Sequence, residues 1–145
     1  MSFLVSGLPF EVAEEETLAR FVLVSKYRSQ PEPGRWRVKP PAFIPDPHDD
    51  LSVSRVGGLP DSELETYGRP VAETQGKPLY GAALVNAALV RSLNLEIEAD
   101  EGPPRHANIL RWPQETDPKE QKARRQLIAT ELADAARYLP IEDSN

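Results

Sequence analysis

The chain predicts a single-domain α+β fold: a small, mostly antiparallel sheet with three to four helices, including a long C-terminal one. Three observations predict it. A capped, helix-spaced apolar stripe runs from Asp117 to Leu139. Short segments around residues 51–56, 95–99 and 106–112 alternate apolar and polar residues, the period of a half-buried strand. Fifteen prolines punctuate the rest, and each fixes φ and removes a backbone donor, so most elements must be short.

Residues 1–10 read as an irregular arm. Glu14, Glu15 and Glu16 suit the first turn of a helix, where negative charge meets the positive end of the dipole. A helix from Glu11 to about Tyr27 is therefore favoured, although Phe21-Val22-Leu23-Val24 also suits a strand. Residues 30–50 carry six prolines, which favour edge strands and extended segments. Arg35 to Lys39 is the short strand within them. Leu51 to Val56 is the next strand, turned by Gly57-Gly58-Leu59-Pro60. Asp61 caps a short helix that reaches Tyr67 and ends at Gly68. Apolar residues at 84, 85, 88, 89 and 93 predict a helix from Ala82 to Leu93, closed by Asn94 in a left-handed cap. Leu95 to Ala99 and residues 106–112 are strands joined as a hairpin through the turn 100–104. Asp117 caps the last helix, Pro118 takes its first position and Glu120 completes the capping box; Pro140 ends it. Residues 141–145 read as a flexible tail, and all 145 residues form one domain.

Composition narrows the chemistry. There are no cysteines, which excludes disulfides, thiol catalysis and cysteine-based zinc sites. The net charge of −6 argues against bulk nucleic-acid binding, which needs clustered Lys and Arg. A local basic patch stays open, because Lys26, Arg28, Arg35, Arg37, Lys39 and Arg55 lie close together in sequence, interleaved with Tyr27 and Trp36. The start lacks a basic leader followed by an apolar run, and no stretch is long and apolar enough to span a bilayer. A cytoplasmic protein without membrane contact is expected.

His106 is the central candidate. On an ideal strand it shares a face with Asn108, Leu110 and Trp112, and it follows Arg105. Imidazole titrates near neutrality and can bind an anion or shuttle a proton; it is also an ordinary structural residue when bonded to a carbonyl. The leading expectation is an anionic ligand, a nucleotide or RNA segment, held by Arg35, Arg37, Lys39, Arg55 and Arg105, oriented by His106 and Asn108, with Trp36 as a stacking platform. The bland alternative for the cations is a solvated face. Two rival functions stand beside binding: an accessory subunit docking a larger protein through segment 31–47, and a phosphodiester- or nucleotide-processing enzyme with His106 as its catalytic residue.

The loop Asp46-Pro47-His48-Asp49-Asp50 offers metal donors, but not at the spacing of a calcium loop, and no metal or cofactor is expected. Neither His48 nor His106 stands in a His-x-Ser/Thr pair, the pattern of two-histidine phosphoesterases. No phosphate-binding glycine loop and no nucleophile elbow is present.

Lys39-Pro40-Pro41-Ala42-Phe43, Leu51-Ser52-Val53-Ser54-Arg55 and Arg105-His106-Ala107-Asn108-Ile109 with Trp112-Pro113 together resemble a family of short bacterial proteins, over roughly residues 14–138. The resemblance implies a stand-alone bacterial cytosolic protein and no particular activity or site residue.

Overall fold

The computed structural model describes residues 4, 6–45 and 49–141. Its centre is a six-stranded antiparallel sheet. The strands are β1 (Thr17–Val22), β4 (Leu51–Arg55), β5 (Gly81–Asn86), β6 (Glu96–Ala99), β7 (His106–Leu110) and β8 (Arg137–Pro140), in the spatial order β6-β7-β4-β1-β5-β8. A separate hairpin is made of β2 (Arg28–Glu32) and β3 (Arg35–Val38). Among the described residues there are three α-helices: α1 (Leu64–Gln75), α2 (Ala87–Ser92) and α3 (Pro118–Ala135). The α+β class is thus as expected from sequence.

Two cores flank the sheet. On one face Ala19, Phe21, Ala82 and Leu84 pack with Leu64, Ala72 and Leu79 of α1 and its flanks. On the other Leu18, Val22, Val53, Val85 and Ile109 pack with Phe43, Val90, Trp112 and Leu132. At about 25 cal/mol per Å² of apolar area removed from water, this two-sided burial is the main stabilising term.

Several elements differ from the sequence expectation, each for a tertiary reason. The segment expected as a helix from Glu11 is strand β1, and Glu16 pairs with Arg55 instead of opening a helix. The expected helix from Ala82 is strand β5 followed by the six-residue α2; five consecutive residues of β5 are buried because both its faces are covered, which erases alternation. Gly68 does not end its helix. It lies buried inside α1, where an added Cβ would sit 2.8 Å from the Phe21 ring, and the helix ends instead at Gly76, φ +64°. The last helix stops at Ala135, and Arg137–Pro140 forms the edge strand β8. Ala42-Phe43 lies in a 3-10 turn.

Other expectations hold. Asp117 accepts the Lys119 N–H at 3.0 Å, and Asn94 is left-handed at φ 64°. The β6–β7 hairpin forms, but β7 ends at Leu110 because Arg111 turns left-handed at φ 68°. That turn breaks the alternation, so Trp112 leaves the His106 face and is buried in the opposite core.

Candidate functional site

β1 and β4 begin as neighbours and then part. Val56 N–H donates to Thr17 C=O at 3.0 Å, and the register runs Leu18 to Arg55 and Ala19 to Ser54. The next rung, Phe21 opposite Ser52, is not made. Arg20 bridges the divergence: its Nε donates to Ala42 C=O at 2.9 Å and its Nη1 to Ser52 C=O at 3.0 Å.

The parting leaves a crevice of about 90 Å³. At roughly 30 Å³ of liquid volume per water, it has room for about three waters or one tetrahedral oxyanion. Arg20, Tyr27 and Ser52 line it with Ser54, Lys77 and His106, and no aspartate or glutamate does so among the described residues. Val71 and Gln75 of α1 close one side, since α1 covers β1 and β5 but leaves β4 and β7 open. Arg20 has no carboxylate within ion-pair distance among the described residues. Burial pushes its pKa below the ordinary arginine value, with Tyr27 acting in the opposite direction. Arg20 is half-buried and gives Nε and Nη1 to carbonyls, so its positive charge meets no counter-charge in the crevice and can attract an anion.

His106 contributes its ring to the crevice. Its Nδ1 is buried without a hydrogen bond, and lies 3.5 Å from Asp100 Oδ2, within ion-pair range but outside good hydrogen-bond geometry. Asn108 continues the same face one rung on, opposite Ser52.

The other expected ligand residues do not converge on His106. Arg55 is 0% exposed: Nε and Nη2 bind Glu16 at 2.8 and 2.7 Å, and Nη1 binds Pro9 C=O at 2.8 Å. It is a structural arginine with its fork fully engaged. Arg105 donates Nη1 to Arg55 C=O at 3.0 Å and stacks on Tyr67, while its N–H binds Glu101. Burial raises the Glu101 pKa, but hydrogen bonds from Ser6 and Arg105 and the charge of Arg55 outweigh it, leaving the carboxyl below its ordinary value. Arg105 thus shapes the corner before His106. Arg35, Trp36 and Arg37 sit on the β2–β3 hairpin, which packs on β8 and α3, three strands removed from β7 across the sheet. Arg35 pairs with Glu32, and Arg37 and Lys39 are exposed. The Trp36 ring is 4.4 Å from the Arg28 guanidinium, which lies equally close to Tyr80, so one face already carries a cation.

Of the acidic loop, Asp46 to His48 lies outside the described residues; Asp49 binds Arg125 at 2.9 Å. A wider depression of about 420 Å³ beside β6 is lined by Glu11, Glu14, Glu96 and Glu98, the wrong sign for an anion. Among the described residues no helix is long and apolar enough to cross a membrane.

The sequence reading misses Arg20 and Lys77, and it sets Ser52 and Ser54 aside because no nucleophile elbow surrounds them. The one available signal was a lone arginine inside the apolar run Leu18 to Val22. Comparison of the chain with protein-family models, curated proteins and solved structures yields no match.

Proposed function

We propose that this protein binds the phosphate group of a small phosphorylated molecule, a mononucleotide included, in the crevice between β1 and β4. The carrying observation is Arg20, lodged in the crevice wall with no carboxylate partner among the described residues. Lys77 adds a second cation, Ser52 and Ser54 supply hydroxyls, His106 lines the wall, and the volume suits one phosphoryl group. The remainder of the ligand would lie over Ser52 and Asn108, on the part of the face that α1 leaves open.

The test is calorimetric titration with inorganic phosphate and with a mononucleotide. One charge-assisted contact is worth about 1.5–3 kcal/mol, so Arg20→Met is expected to weaken binding about 10- to 100-fold. Because Arg20 also bridges Ala42 and Ser52, exposed Lys77→Glu serves as a second variant that spares the fold, and it is expected to weaken binding as well. Arg37→Glu, on the distant hairpin, is expected to leave binding unchanged. Equal affinity in wild type, Arg20→Met and Lys77→Glu would refute the reading.

A further inference from the structure

Asp100, His106 and Ser54 form one row across three adjacent chain segments. Ser54 stands opposite His106 in the β4–β7 register. Asp100 follows β6 and donates its N–H to His106 C=O at 2.9 Å, which extends the β6–β7 ladder by one residue. Arg55 N–H donates to Arg105 C=O at 2.6 Å, so the rung beside Ser54 and His106 carries the hydrogen bonds. Ser54 and His106 are therefore a non-hydrogen-bonded pair, the kind whose Cα atoms lie about 4.5 Å apart and whose side chains approach most closely.

The chemistry of the row is ordered. The Asp100 carboxylate faces Nδ1 at 3.5 Å, which favours the proton on that nitrogen and leaves the lone pair on Nε2. This tautomer follows from the carboxylate's placement. Ser54 and His106 both line the crevice, and the Ser54 hydroxyl donates to no group among the described residues. A hydroxyl, an imidazole and a carboxylate thus follow one another along the row, in a crevice that Arg20 also lines, and the nucleophile–base hydrogen bond that covalent catalysis at serine requires would form as the Ser54 hydroxyl turns to Nε2.

We propose that the crevice hydrolyses a phosphomonoester through a phosphoserine at Ser54. This rests on the phosphate-binding reading above. In the first step Ser54 Oγ attacks phosphorus and its proton passes to His106 Nε2. The bond from phosphorus to the ester oxygen breaks, and that oxygen takes the proton from Nε2 and leaves as the alcohol. In the second step water attacks the phosphoserine and gives a proton to Nε2. The Oγ–phosphorus bond breaks, Ser54 recovers the proton, and inorganic phosphate departs. The sum is one phosphomonoester and one water giving one alcohol and one phosphate. Arg20 and Lys77 offset the negative charge on the phosphoryl oxygens. Asp100 is a positioning residue, acting through the imidazole.

The experiment uses the full chain with para-nitrophenyl phosphate, following nitrophenolate release, with acid quenching and mass spectrometry of the Ser54 peptide. Inorganic phosphate affinity is measured in parallel on every variant. Wild type is expected to turn over and to carry phosphate on Ser54. Ser54→Ala is expected to lose at least about 100-fold in rate, the lower range for an acid–base pair deprived of its partner, while inorganic phosphate binds at most about 10-fold more weakly, the loss of one neutral hydrogen bond. Asp100→Asn, at an exposed position, is expected to lower kcat with little change in KM. No turnover by wild type that binds phosphate overturns the catalytic proposal and leaves the binding reading standing. Undiminished turnover in Ser54→Ala, or turnover without phosphoserine, overturns the role of Ser54. Failure of wild type to bind phosphate removes both readings together.

Discussion

The Glu16–Arg55 pair predicts an asymmetry in stability. Arg55 is fully buried, whereas the Glu16 side chain is 14% exposed. The carboxylate also accepts the Ala13 N–H at 2.7 Å, so it keeps a partner and some water if the guanidinium is removed. Glu16→Gln preserves shape but leaves a buried cation facing an amide that can accept only one of its two donors. Breaking a buried pair in this way costs about 3–5 kcal/mol, a large share of the roughly 5–15 kcal/mol that holds a domain together. Arg55→Met removes the buried charge itself, and its cost is expected to be about 2 kcal/mol, that of a group losing charged hydrogen bonds while retaining another partner. In the double variant the methionine removes the stranded cation, so the combined cost should fall below the sum of the two by about 1–3 kcal/mol. Urea unfolding followed by circular dichroism measures all four proteins. If Glu16→Gln costs under about 1 kcal/mol, or if Arg55→Met costs more than Glu16→Gln, the argument from the buried cation is wrong.

Three further outcomes follow from the packing. The Tyr138 hydroxyl is buried without a hydrogen bond, and burial raises its pKa, with nearby Arg28 acting in the opposite direction. A raised phenol favours the neutral form, so its contribution to stability is present below the unfolded tyrosine value and is lost as pH rises through the folded one. Tyr138→Phe is therefore expected to flatten the alkaline decline of stability, and to be neutral or stabilising by about 1 kcal/mol at pH 7, as read by thermal melts across pH. Gly68→Ala should destabilise by about 1–3 kcal/mol despite the better helix propensity of alanine, because the new methyl group meets the Phe21 ring; a gain in denaturation midpoint would contradict this. Asp61 is held below the ordinary carboxylate value, first by its hydrogen bonds from Arg137 and also by that residue's charge, against the opposing effect of desolvation. Its stabilising contribution is present above the unfolded value and fades as pH falls through the folded one. Arg137→Ala should move the Asp61 titration upward by carbon-detected NMR; an unchanged titration would deny the pairing.

The sequence made some of this legible, residue by residue. Asp117 and Pro118 placed the start of α3, and the alternation around Leu95 to Ala99 placed the β6–β7 hairpin. Alternation also held the clue to Arg55: Leu51, Val53 and Arg55 share one parity, so the arginine belonged to the apolar face, while Ser52 and Ser54 belonged to the other. Read that way, Arg55 was a core residue from the start, and the serines belonged to the opposite face, Ser52 exposed and Ser54 buried. β1 and β5 were illegible for the opposite reason. A strand buried on both faces shows a continuous apolar run, which a helix of the same composition matches.

The crevice itself lies beyond any local pattern, because it depends on where two strands cease to pair. Arg20 sits at that point. Its Nη1 occupies the Ser52 carbonyl just where the Phe21–Ser52 rung is missing, and its Nε ties the 40–43 turn to β1. The same side chain therefore bridges the opening in the sheet and places a positive charge within it. A neutral residue of equal length would leave the Ser52 and Ala42 carbonyls without donors as well as removing the charge, so structural and ligand-binding effects at position 20 are coupled. Lys77, exposed and outside the sheet, carries only the second of these effects. Comparing the two variants separates the charge that attracts an anion from the bridge that shapes its site: loss of phosphate affinity in both, with loss of stability in Arg20→Met alone, is the pattern this architecture requires.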